Sequence, residues 1–209
     1  MRLLAGAMLL AGLWSCTNEK TELPIMGQEE VVRVDRDGET AFDTIVHAIP
    51  DFAFTDQDGN KVTGSTFNGQ VYVVDFFFTS CPTICPKMKA QMLRVYEEFE
   101  DEKNLSILSH SIDTRHDSVP VLKKYATKLG IESDKWHLVT GDHDEIYSMA
   151  EEYLVNAAID DGAPGGYLHS GAFILVDQQK HIRGYYDGTV TEDVDKMMDD
   201  IKTLLGESK

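Results

Sequence analysis

The sequence predicts an α/β sandwich, a central mixed β-sheet with helices on both faces. Three observations carry this. Residues 71–77 (VYVVDFF) are an almost unbroken β-branched and aromatic run, and 105–112 (LSILSHSI), built on Leu and Ile, reads as a second such strand, the mark of strands buried on both faces. Apolar residues at helical spacing fill the gaps between such runs. Near the end, residues 172–176 and 181–186 are separated only by Asp177-Gln178-Gln179-Lys180, which reads as a hairpin closing the sheet. The resulting order, β–α–β–α–β–α–β–β–α, is that of a thioredoxin-like sandwich.

Each element has its own signal. Residues 31–34 (VVRV) before Asp37-Gly38 read as a short hairpin or edge strand ahead of the core. The core begins near Ile49. Phe52 to Thr55 and Lys61 to Thr63 flank the turn Asp56-Gln57-Asp58-Gly59 and form a second hairpin. The central strand 71–77 is followed by a helix carrying Met88, Met92, Val95, Tyr96 and Phe99. After 105–112, a second helix carries Val121, Leu122, Tyr125 and Leu129. Trp136 to Thr140 is a shorter strand. Ile146, Met149 and Tyr153 mark a third helix, and Val194, Met197, Met198, Ile201 and Leu205 a fourth. The methionines lie at helical spacing and read as core rather than as metal ligands.

The 209 residues carry 19 Lys+Arg against 36 Asp+Glu, a formal charge of −17. Such a surface repels phosphate backbones and excludes nucleic acid as a partner. An apolar content of 42% with 26% charged residues is that of a globular chain. Residues 1–15 read as a signal peptide, with Arg2 ahead of an apolar stretch from Leu3 to Leu13 that is too short to span a bilayer. Leu13-Trp14-Ser15-Cys16 resembles a bacterial lipobox, with Trp14 in place of the usual small residue. That makes Cys16 the expected lipidation site and places the domain in the cell envelope, anchored to a membrane and facing the periplasm. Residues 16–30 read as lipidated cysteine and tether, 31–48 as an N-terminal extension, and 49–206 as the domain.

With Cys16 assigned to lipid, two of the 3 cysteines remain. Cys81 and Cys85 follow the central strand directly, at the carboxyl end of the predicted sheet, where open α/β folds place their sites. The helix start favours thiolate over thiol. Four residues apart on a helical turn, the two side chains share a face, with Cα atoms about 6 Å apart, within disulfide reach. Pro86 belongs at a helix start, so the helix is expected to begin there, behind a loose turn over 82–85. A purely structural bridge closing so short a loop stabilises little, so the pair reads as functional: a reversible disulfide that opens into a soft metal site suited to Cu(I).

A harder third donor would let the site hold Cu(II) as well. Of the seven histidines, His110 lies on a buried strand and reads as a satisfied core residue. His47, His116, His137, His143 and His181 stand beside charges or turns and need no role. His169 differs. It follows the loop Ala163-Pro164-Gly165-Gly166 and precedes the strand 172–176. In a thioredoxin-like sheet this places it beside the cysteine-bearing strand, as the candidate third ligand.

At this point the residues resemble a known family. Phe-Phe-Phe-Thr-Ser-Cys81-Pro-Thr-Ile-Cys85-Pro-Lys-Met is similar to the signature of the Sco/SenC copper-handling proteins. Ser111-Ile112-Asp113, Asp117-Ser118-Val119-Pro120, Trp136 to Gly141, Tyr153-Leu154-Val155 and Tyr167-Leu168-His169-Ser170 resemble further blocks of that family. The resemblance runs from about Pro50 to Leu205. It implies copper bound by Cys81, Cys85 and His169. It also implies a role in building the dinuclear copper centre of cytochrome c oxidase, as copper donor or as thiol reductase, with the oxidase's copper-bearing subunit or another envelope thiol or copper protein as partner. Asp113 matches a family acidic residue near the site, and is given a supporting or docking role. Thr114-Arg115-His116 departs from the family's usual Pro-Glu-Arg, which bears on partner contacts and not on the metal ligands.

Other readings stand beside this one. A cell-envelope thiol–disulfide oxidoreductase would use the same cysteines, although generic reductases carry C-x-x-C and a proline where His169-Ser170 stands. A peroxidase with Cys85 as resolving thiol and a copper- or redox-sensing module are further alternatives. Zinc fits less well, since a structural zinc site wants four ligands and three are in sight.

Overall fold

The computed structural model describes residues 22–36, 38–160, 162 and 164–207, with backbone alone for Pro164, Leu168, His169 and Glu207. The expected signal peptide and Cys16 lie outside the described residues, as does Asp37. The strands are β1 (Glu29–Arg36), β2 (Glu39–Val46), β3 (Ala53–Thr55), β4 (Lys61–Thr63), β5 (Val71–Phe77), β6 (Leu105–Ser111), β7 (Trp136–Val139), β8 (Ala157–Ile159), β9 (Tyr167–His169), β10 (Ala172–Val176) and β11 (Ile182–Asp187). The helices are α1 (Cys85–Glu98), α2 (Val119–Leu129), α3 (His143–Glu152) and α4 (Thr191–Glu207).

The main sheet has the order β11-β10-β5-β6-β7. β5 pairs in parallel with β6, and β6 with β7, while β10 runs antiparallel to β5 and β11. All seven residues of β5 and of β6 are buried, the three serines and the histidine of β6 included. On one face of β5, Asp75 and Phe77 meet Lys89 of α1 and Tyr125 of α2. On the other, Tyr72 stacks on Phe67 and Phe76 packs against Tyr153, just past α3. The sandwich with helices on both faces is therefore the observed architecture.

Both sheet edges are covered. Gln57, buried in the turn after β3, donates to the Trp136 carbonyl at 2.7 Å and accepts from the Leu138 N–H at 2.7 Å. The side chain takes the place of a missing neighbour strand beside β7. Beside β11, Met26 N–H donates to the Ile182 carbonyl at 2.7 Å, and Arg183 donates to the carbonyls of Leu23 and Pro24. The stretch expected to be a tether is thus docked from Leu23 onward. The hairpin after it is longer than its sequence signal. β1 and β2 pair over eight residues each, and Val31 and Phe42 are exposed on it at 66% and 69%.

His110 departs from the expected satisfied core histidine. It is fully buried, yet among the described residues neither ring nitrogen has a hydrogen-bond partner. Its neighbours are aromatic: Phe76 stacks on it at 4.9 Å and Phe54 meets it edge-on at 5.3 Å. Burial pushes its pKa down to about 3 from the ordinary 6.5. Between those values the unfolded chain takes up a proton that the folded chain does not, so this residue makes stability fall as the solution is acidified. Replacing His110 with Phe keeps an aromatic of similar size and removes the unsatisfied polar atoms. His110→Phe is expected to raise stability at neutral pH by about 1–3 kcal/mol. It should also flatten the acid side of the stability curve by up to about 1.4 kcal/mol per pH unit. Urea unfolding of both proteins between pH 4 and pH 7 measures both effects.

Candidate metal centre

β5 ends at Phe77, and the chain crosses its carboxyl end through Phe78-Thr79-Ser80 to Cys81. Helix α1 begins at Cys85 with Pro86 in its second position, and 81–84 is non-helical. This is the expected start, fixed by a proline that has no N–H to leave unpaired. Cys81 is 8% exposed and Cys85 2%, and both are thiols rather than a disulfide. A cleft of about 390 Å³ between α1 and α2 reaches them, lined by Thr79, Pro86, Lys89 and Tyr125 among others.

The expected thiolate-favouring helix start does not govern Cys85. Burial pushes its pKa up to about 12, assisted by a hydrogen bond with Cys81. The Phe78 N–H and the Lys89 charge pull the other way and are outweighed. Lys89 is itself committed, with Nζ 2.7 Å from an Asp75 oxygen and 3.3 Å from Ser109 Oγ. A buried lysine so paired offers little net charge to a neighbouring sulfur.

The cysteine loop is held by Asp117, a residue marked in the sequence only within a block resembling the family and with no role of its own. Asp117, 1% exposed, accepts from the Thr79 N–H at 2.9 Å, from Thr79 Oγ1 at 2.5 Å and from Ser111 Oγ at 2.6 Å. Its sequence signal was an acidic residue just ahead of the Ser118-Val119-Pro120 helix start, which reads equally well as a cap.

Asp113 is 2% exposed, which removes it as a docking surface. It accepts from Tyr167 Oη at 2.8 Å and lies against the His116 ring. Tyr167 packs on Phe78, ring centres 5.1 Å apart. Burial and its hydrogen bond to Asp113 push the Tyr167 phenol up to about 12, so it remains a donor.

The segment carrying His169 is placed differently from the expectation. β9 lies outside the main sheet and pairs with β8, His169 opposite Ala157. It is β10, three residues on, that lies beside β5. The segment nevertheless crosses the cysteine loop. A Cβ added at Gly165, where φ is +84°, would stand 2.7 Å from Phe78 Cε2 and 3.4 Å from Pro82 Cδ. One at Gly171 would stand 3.8 Å from Ile84 Cδ1. The backbone of His169 runs between these two contacts, while its side chain lies outside the description. Among the described residues no three His, Cys, Asp or Glu side chains form a metal-binding group.

The sequence profile of the SCO1/SenC family matches residues 43–206. The chain belongs to the SCO1/SenC family. Among its relatives is the SCO1 protein homolog of Bacillus subtilis, 29% identical over 168 residues, which are 79% of this chain and 87% of that protein. The crystal structure of a SCO1/SenC family lipoprotein from Bacillus anthracis is 27% identical, with a TM-score of 0.69 over 76% of this chain and 95% of that one. BsSco, a member of the Sco family of cytochrome c oxidase assembly proteins in which a disulfide switch was identified, is 30% identical. Its TM-score is 0.65, over 76% of this chain and 93% of that one. Yeast Sco1 with copper bound is 25% identical, with a TM-score of 0.58 over 74% and 88%. Among the described residues no helix is long and apolar enough to cross a membrane.

If Asp117 pins the cysteine loop, Asp117→Ala leaves three donors without their acceptor. The expected cost is about 2–3 kcal/mol of stability. In protein that is still folded, Cys81 should be alkylated several-fold faster as the loop loosens. Iodoacetamide labelling followed by mass spectrometry reads this directly. In the unaltered protein, labelling of Cys85 should remain negligible at pH 8 and rise only as pH approaches 12.

Proposed function

We propose that this chain is a membrane-anchored copper-binding protein that assists assembly of the dinuclear copper centre of cytochrome c oxidase. The observation that carries the reading is the buried pair Cys81 and Cys85 at the head of α1, crossed by the segment that bears His169. The donor chemistry fits copper. Two thiols in an apolar pocket are soft ligands suited to Cu(I), and an imidazole adds the nitrogen that Cu(II) prefers. Cys81 and Cys85 would hold the metal as thiolates, with His169 as third ligand. The relatives named in terms of copper and of oxidase assembly support the same reading.

The protein's own residues have distinct parts in this. Cys85 is strongly protonated in the metal-free state, so binding must displace its proton, and uptake is favoured as pH rises. Asp117 keeps the cysteine loop in place and Asp113, through Tyr167, the histidine segment. Lys89 lines the cleft beside the sulfurs while its charge is paired with Asp75. Joining the two sulfurs releases two electrons and two protons to an acceptor disulfide and removes both soft donors, so redox state gates metal binding. The oxidoreductase alternative uses the same pair but has no part for His169.

Copper titration of the reduced and the oxidised domain tests this reading. The reduced protein should bind one copper with thiolate–Cu(II) absorption, and the disulfide form should bind weakly. His169→Ala should leave Cu(I) binding within several-fold and remove most Cu(II) affinity, with the rate of model-disulfide reduction little changed. Equal Cu(II) affinity in wild type and His169→Ala would remove His169 from the ligand set.

Anchoring through lipid on Cys16 is part of the proposal, supported by the lipobox-like Leu13 to Cys16 and by the Bacillus anthracis lipoprotein relative. Cys16→Ser should abolish labelling by a fatty-acid analogue and shift the protein from the membrane to the soluble fraction, or leave it unprocessed. Retained lipid labelling would contradict the assignment.

A further inference from the structure

The thiols lie deep in their cleft, 8% and 2% exposed, so copper arriving from solvent meets an exposed donor more readily than either sulfur. His116 is placed for that. Its side chain is 78% exposed, while the carboxylate it touches, Asp113, is 3% exposed. His116 Nδ1 lies 2.8 and 2.9 Å from the two Asp113 oxygens. An ionised carboxylate only accepts, so in the neutral ring Nδ1 carries the hydrogen and Nε2 keeps its lone pair. A carboxylate behind a histidine in this way is the arrangement that orients metal-ligating imidazoles and raises their basicity.

The position connects to both halves of the proposed site. The turn from Asp113 to Asp117 is closed by Asp117 N–H donating to the Asp113 carbonyl at 2.9 Å. Asp113 at one end receives Tyr167, two residues before His169. Asp117 at the other receives Thr79, two residues before Cys81. His116 stands on the turn between these two braces.

We propose that His116 is an entry ligand, a surface imidazole that captures copper and presents it to Cys81 and Cys85. The inference rests on the copper reading above. Copper exchanges one bound water for His116 Nε2. Nε2 and a second bound water then give way to the two sulfurs as the thiols release two protons to solvent. No electron moves, and His116 returns to its starting state.

The test is stopped-flow mixing of aqueous Cu(II) with the reduced protein, read by thiolate–Cu(II) absorption, for wild type, His116→Ala and His116→Arg. Arginine keeps an N–H donor against Asp113 but has no lone pair to offer copper. Loading should slow by about tenfold or more in both variants, on the scale at which losses around a metal site are felt, with final affinity within about twofold of wild type. Restored loading in His116→Arg would assign His116 a bracing role only and overturn the proposal. Unchanged rates in both variants would overturn it as well, while leaving the copper reading intact. A wild-type protein that never develops the absorption would overturn both.

Discussion

Asp117 accepts three hydrogen bonds from two different segments, the loop leaving β5 and the end of β6. Without it the thiols would sit on a loop held by the start of α1 and by the packing of Phe78 and Pro82 under the segment that begins at Gly165. A buried carboxylate is expensive to desolvate and stays in place only when its lone pairs are used, and here hydroxyls and an N–H use them. Asp113, one helical turn earlier, does the same for the segment crossing above. Two carboxylates on one turn thus fix two chain segments that are far apart in sequence, and the candidate centre lies between those segments.

The chemistry of the pair follows from depth. A helix start offers partial positive charge, but at 2% exposure the loss of water outweighs it for Cys85. A thiol held in that state is a poor nucleophile at neutral pH and a ligand only toward a metal able to displace its proton. The same depth is why delivery becomes a question of what stands at the surface.

Much of this was legible beforehand. The run 71–77 is apolar except for Asp75, and 105–112 sets Leu105, Ile107, Leu108 and Ile112 among serines and a histidine; both read as buried strands, and β5 and β6 appear there. Pro86 dated the start of α1 to within a residue, because proline tolerates few helical positions. The cysteines and Asp113 fell where the carboxyl ends of the strands gather. What escaped was everything decided by tertiary pairing. β8 and β9 are three residues each, too short for any periodicity, so the ribbon beneath His169 left no trace. The Lys89–Asp75 pair looks in sequence like one surface charge and one interruption of a strand. His110 shares its strand face with Leu108 and Ile112, which reveals burial but not the absence of a partner.

The N-terminal strap has a consequence for how the domain is delimited. The family's shared region opens at residue 43, inside β2. A chain cut there would keep four residues of β2 without the strand that pairs with them, and would lose Met26 and the carbonyls that hold Arg183. Ile182, now fully buried, would stand on an open edge, the kind of edge that recruits a neighbouring molecule. The smallest well-behaved unit therefore reaches back past the matched region to include Leu23, whose carbonyl holds Arg183.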